Sequence, residues 1–172
     1  MLSVNPASSG SSASSVTDTS NIAAFVSQNS IGILSVPGSP TSVTAKSGDA
    51  QLTVTWTAPA NTGGSKITDY LVKYSSNGGV AGSWKNFDHP VSTVPSLTVT
   101  GLTNGISYVV KVIARNEVDF SSPSVYSLPV MPVTIPNVPR YVVAVRGNAQ
   151  LTVTWTAPTS TGGSAITDYL VK

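Results

Sequence analysis

Few side chains in this sequence could do chemistry. His89 is the only histidine among 172 residues, and it stands between Asp88 and Pro90. An imidazole becomes a general base or a metal ligand only with a nucleophile, an acid or a second ligand beside it. No serine or second histidine lies at a meaningful spacing, so His89 reads as a solvated loop residue. Asp69 and Asp168 occupy matching places in a repeat and read as surface carboxylates. No two carboxylates are spaced as an acid–base couple. Gly63-Gly64 and Gly162-Gly163 lack the Lys-Ser/Thr pair and following helix of a phosphate loop, so they read as turns. Cysteine is absent, which removes disulfides, thiolate nucleophiles and Cys-based zinc sites. The sequence points to no catalytic, cofactor-binding or metal-ligating residue, no cofactor and no enzymatic activity.

The elements that position these residues are strands, and the chain carries several of them twice. The 24 residues from Ala50 to Lys73 recur from Ala149 to Lys172, offset by 99 positions. They differ only at Ala60/Thr159, Asn61/Ser160 and Lys66/Ala165. A spacing near 100 residues implies one domain per repeat. Leu52, Val54 and Trp56 alternate with Thr53, Thr55 and Thr57, which marks a strand with one buried face. An edge strand is predicted from Thr41 to Lys46, turning at Gly48-Asp49. Another runs from Ile67 to Ser75, with Tyr70, Val72 and Tyr74 on one face and Asp69, Leu71 and Lys73 on the other. Short strands are predicted from Trp84 to Phe87 and from Ser96 to Thr100. After Leu102 comes a long strand from Ser107 to Arg115, its inner face Tyr108, Val110, Val112 and Ala114. In the last strand Tyr126, Leu128 and Val130 alternate. Seven short strands without a helix predict an all-β, immunoglobulin-like, seven-stranded Greek-key sandwich, plus a partial second copy.

Composition agrees. Apolar residues make up 40% of the chain and charged residues 9%, against about 25% charged in a typical domain. Nine basic and seven acidic residues leave a net charge of +2. They are scattered, so no nucleic-acid partner is expected. No apolar run approaches the length of a membrane span. The first basic residue is Lys46, so no secretory signal is visible. Residues 1–36 read as a flexible Ser-rich leader with a short apolar segment, open between a helix, a hairpin and a piece packed on the adjacent module. Residues 37–132 form the complete module and 133–138 a Pro-rich linker. Residues 139–172 form a truncated second module with strands A, B and most of C. That remnant is expected not to fold stably alone.

Trp56, Tyr70, the run Leu102-Thr-Asn-Gly-Ile-Ser-Tyr108, the run Val110-Lys-Val-Ile-Ala-Arg-Asn116, and Ser122-Pro123 together resemble a fibronectin type III domain. The resemblance implies two facing sheets, A-B-E and C′-C-F-G, built without disulfides. It places Trp56, Tyr70, Val72, Leu102, Tyr108, Val110 and Val112 in the core. Tyr108 fits a tyrosine corner, its hydroxyl turned back to upstream backbone.

Candidate contact residues are few. Val118 and Phe120 lie on the loop that some family members use for adhesion, here without Arg-Gly-Asp. Val109 and Ile113, with Leu71, form an expected apolar stripe on the outer sheet face. Trp84 and Phe87 either join that surface or cover the core edge. The expected role is a non-catalytic spacer or an adhesion or display element of a tandem array, on a virion or cell exterior. Its partners are neighbouring repeats and an undefined protein or glycan. The rival readings are an accessory spacer in a larger secreted polysaccharide-degrading enzyme and a carbohydrate-binding module.

Overall fold

Residues 33–172 are described in the structure, a computed structural model. The Ser-rich part of the predicted leader and most of its short apolar segment, left open between a helix, a hairpin and a packed piece, lie outside them. Among the described residues there are eight strands and no helix. They are β1 (Thr41–Gly48), β2 (Gln51–Thr57), β3 (Asp69–Ser75), β4 (Lys85–Asn86), β5 (Ser96–Val99), β6 (Val109–Arg115), β7 (Arg140–Gly147) and β8 (Gln150–Thr156).

Strand order is β1-β2-β5 in one sheet and β4-β3-β6 in the other, all antiparallel. Alternation in β2 explains the core. Leu52 and Val54 are fully buried, Trp56 is 7% exposed, and the threonines between them face solvent. Val72 on β3 and Val110 and Val112 on β6 close the opposite side, with Tyr70, Leu102 and Tyr108 also buried. The Trp56 and Tyr70 rings meet edge-on at 5.0 Å, a geometry that aromatic quadrupoles favour. Burial pushes the Tyr70 phenol above its ordinary value, and the Trp56 indole N–H beside it pulls weakly the other way. That N–H has no partner with hydrogen-bonding geometry.

One end of the sandwich is tied by side chains. The β1–β2 hairpin turns through Ala50, held at φ 52°. Asn104 accepts from the Ala50 N–H at 2.8 Å and donates to Asp49 at 2.7 Å. Tyr108 Oη accepts from the Thr103 N–H at 3.1 Å.

The seventh strand departs from expectation. Residues 121–130 form no regular strand beside β6. Ser121, Ser124, Ser127 and Val130 donate their N–H groups to the carbonyls of Ala114, Val112, Val110 and Tyr108, at 2.8–2.9 Å. The three serine Oγ atoms accept from the N–H groups of the same β6 residues: Ala114 at 3.0 Å, Val112 at 2.9 Å and Val110 at 3.1 Å. Every third residue of the segment therefore meets every second residue of β6. Two strand residues span about 6.8 Å, so the segment advances only about 2.3 Å per residue. The pair between successive anchors must bulge outward. Tyr126 and Leu128, predicted to alternate with Val130, consequently lie on the bulges, and Val125 and Leu128 are 85% and 84% exposed.

The second module contains the hairpin β7–β8, a two-stranded sheet in the same register as β1–β2, bulge included. Trp155 packs at 5.2 Å on Tyr169 and stays 36% exposed. The predicted strand C is not formed among residues 166–172. The physical reason is visible in the first module, where β3 pairs with β4 and β6 and with neither β1 nor β2.

The joint between modules is short. Val133 N–H donates to Gly48 O and to Ser47 Oγ, both at 3.2 Å. The next residue, Thr134, donates to Gly162 O at 2.8 Å. Chain entry repeats between modules: Ser35 to Gly63 and Gly38 to Asn61 are matched by Thr134 to Gly162 and Asn137 to Ser160. Gly63 and Gly162, at φ 74° and 73°, leave no room for a Cβ beside the Ser35 and Thr134 carbonyls.

Candidate interaction surface

The loop after β6 is held from inside by Asn116. Its buried amide donates to Ser35 O at 2.7 Å and to Thr62 O at 2.9 Å. Its Oδ1 accepts from the Val118 N–H at 2.9 Å and the Asp119 N–H at 3.2 Å. One side chain thus joins the entering chain, the β2–β3 loop and the β6 loop. It holds Val118 and Phe120 outward, both exposed, with the Arg115 guanidinium 5.1 Å from the Phe120 ring.

The expected outer stripe is not an exposed patch. Val109 and Ile113 are buried, and Leu71 is half-buried. Val109 lies under the turn at Gly79, where its Cγ2 would stand 3.5 Å from an added Cβ. Trp84 reaches over the same turn, its Nε1 donating to Gly79 O at 3.1 Å. Ile113 has Leu71 directly opposite in register, and such same-face pairs shield each other. Lys111 lies over the Trp84 ring at 4.0 Å, and Tyr126 tilts against it at 6.0 Å. Burial, and then the facing Lys73 charge, hold the Lys111 ammonium below its usual range.

Phe87 packs against the core cluster rather than joining that surface. His89 lies beside it, rings stacked at 6.2 Å, with Nδ1 at 2.8 Å from Pro90 O. Asp69 accepts from the Ser92 N–H at 3.0 Å, and Asp168 from the Tyr169 N–H at 2.7 Å. Among the described residues no group of three or more His, Cys, Asp or Glu could hold a metal ion. No helix there is long and apolar enough to cross a membrane.

The fibronectin type III domain profile matches residues 38–127. The chain belongs to the fibronectin type III family. It is 34% identical over 136 residues to the Kelch domain-containing protein SSO1033 of Saccharolobus solfataricus, covering 78% of this chain and 17% of that protein. It is 30% identical over 145 residues to fast-type myosin-binding protein C of Gallus gallus, covering 83% of this chain and 12% of that protein. The chain therefore spans under a fifth of either relative. Among solved structures, the twitchin kinase region of C. elegans superimposes with a TM-score of 0.51 at 28% identity, over 57% of this chain and 17% of that one. The chicken CNTN1 FN1–FN3 domains share the fold, with a TM-score of 0.50 at 24% identity, over 70% of this chain and 42% of that one.

Two features of this fibronectin type III module escape period-two reasoning. The anchors Ser121, Ser124 and Ser127 were visible as serines at every third position. The two bonds that the Asn116 amide donates carry no local signal, because their acceptors lie 54 and 81 residues away.

Proposed function

We propose that this chain is a spacer and display segment of a tandem fibronectin type III array, carried on a virion or cell exterior. Its partners are neighbouring repeats and a protein or glycan met by the exposed edges. The observation that supports this reading is the joint. A single peptide step, Val133 to Thr134, passes from a bond to the first module to a bond to the second. Gly163 abuts the Asn104-Gly105 turn so closely that an added Cβ would lie 2.9 Å from Asn104 carbonyl carbon. A joint bonded on both sides transmits orientation, which is what a spacer requires. Stacking of a sugar on Trp84 is disfavoured, because Lys111 and Tyr126 already occupy the indole.

The lack of cysteine allows clean labelling. Spin labels at Thr98→Cys and Thr154→Cys should give one narrow distance distribution; a broad one refutes the spacer reading. Antibody against the module should label intact particles or cells, and labelling only after lysis refutes the exterior placement.

A further inference from the structure

The two modules differ most in strand A. Across β1 and β7, only Val43/Val142, Ala45/Ala144 and Gly48/Gly147 are shared. Val43 and Ala45 pack against the core of the first module, so the shared apolar positions are those facing inward. The outward positions change character. Thr44 and Lys46 of β1 are replaced by Val143 and Val145 of β7. These valines pair with Thr154 and Thr152 and are 51% and 60% exposed.

The free edge of β7 does not depend on what completes its module. In the first module, strand A is the outer strand of its sheet, paired only with β2. There the edge carries Thr44 and Lys46; a charged residue is one of the devices that discourages strand addition. In β7 the middle of the edge is apolar and β-branched, and positive charge stands at both ends, Arg140 and Arg146. Beside Arg140, Tyr141 is held at φ 53° and exposed, with the guanidinium 5.7 Å from its ring. The bulge that both strands share sets this backbone, since Ser42 of β1 is held at φ 52° in the matching place; what β7 adds there is the tyrosine ring.

We propose that β7 is a docking edge for an extended partner segment with alternating apolar residues flanked by carboxylates. Charge selects this occupant. The bulge between Arg140 and Val143 puts Arg140 two ladder places from Val143, and Arg146 lies three places away on the other side. A second β7 paired antiparallel with Val143 against Ala144 would therefore set Arg140 against Arg146, and like charges directly opposed disfavour pairing. A partner strand with a carboxylate at each end meets both guanidinium groups and places two apolar side chains beside Val143 and Val145.

The test uses the full chain and the synthetic peptide Glu-Val-Thr-Val-Thr-Glu, whose six residues match the six ladder places from Arg146 to Arg140. Titration followed by backbone amide shifts should move residues 141–146, with a dissociation constant of about 0.1–1 mM, as expected for so small an interface. A peptide with Lys in place of both Glu should bind at least about tenfold more weakly. Val143→Thr with Val145→Lys, which installs the residues β1 tolerates, should abolish binding without changing the circular dichroism. No shift at saturating peptide overturns the proposal, leaving the arginines as guards against aggregation. Equal binding of both peptides also overturns it. So does Val145→Lys-sensitive dimerisation in place of peptide binding, which would assign the edge to a second copy.

Discussion

Ser124→Ala removes one hydrogen-bond acceptor and little volume. Its Oγ accepts from the Val112 N–H at 2.9 Å, and Val112 is fully buried. In an antiparallel strand the N–H and C=O of one residue point the same way, and the Val112 carbonyl takes the Ser124 N–H, so the Val112 N–H also faces this segment rather than β3. A buried donor left unpaired costs about 1–3 kcal/mol. The segment is an edge, so it can lift and admit water, which places the cost toward the lower end of that range. Against a total of about 5–15 kcal/mol this is a large fraction. Ser122→Ala is the control, since Ser122 is exposed and bonds nothing on β6 through its side chain; its effect should stay within about 0.5 kcal/mol. In urea the Ser124→Ala midpoint should fall by about 1 M. The Val112 amide should lose exchange protection while Leu52 and Val54 keep theirs. Equal midpoints for the two variants, or unchanged protection at Val112, would refute the serine ladder as the reason the edge holds.

Three further outcomes rest on the same core. Trp56→Ala should cost about 3–5 kcal/mol, and Trp155→Ala much less, because its indole is far more exposed; equal losses in chemical denaturation would deny the difference between the two sites. Ala50→Gly should stabilise by about 0.5–1 kcal/mol, since alanine is held at φ 52° there and its bonds to Asn104 and Leu102 use only backbone; a lowered melting temperature would contradict this. Tyr70 is neutral in the fold beyond its ordinary 10.0, so its contribution is complete below that pH and is lost as pH rises toward the folded value. Lys111, held low, acts in the opposite sense: its cost is relieved as pH rises toward its ordinary 10.5. The difference between wild type and Tyr70→Phe isolates the tyrosine: its stability difference should shrink as pH rises above about 10, and a constant difference would refute the assignment.

The sandwich was legible because its strands obey a period of two with threonine at every other place. That pattern needs no knowledge of partners: Leu52, Val54 and Trp56 must share a face whatever lies opposite. Outer faces are different. Val109 and Ile113 have the same local pattern as an exposed stripe, and only the return of the Gly79 turn and Trp84 over the sheet decides that Val109 is covered. Neither the length of that turn nor the reach of an indole is written in the alternation of β6.

The serine segment shows why a pattern can be misread even when every residue is in view. Tyr126, Leu128 and Val130 do alternate, and apolar residues at every other place predict a strand. Yet Ser121, Ser124 and Ser127 offer an acceptor on a two-bond side chain, which reaches a β6 N–H that the bulged backbone carbonyl does not. Once side chains supply half of the ladder, the backbone no longer has to advance at strand pitch. The edge then satisfies β6 completely while presenting no continuous row of N–H and C=O groups to a stray strand. The apolar residues displaced onto the bulges are the consequence of that solution, and their exposure is set by the serines between them rather than by their own preference for the core.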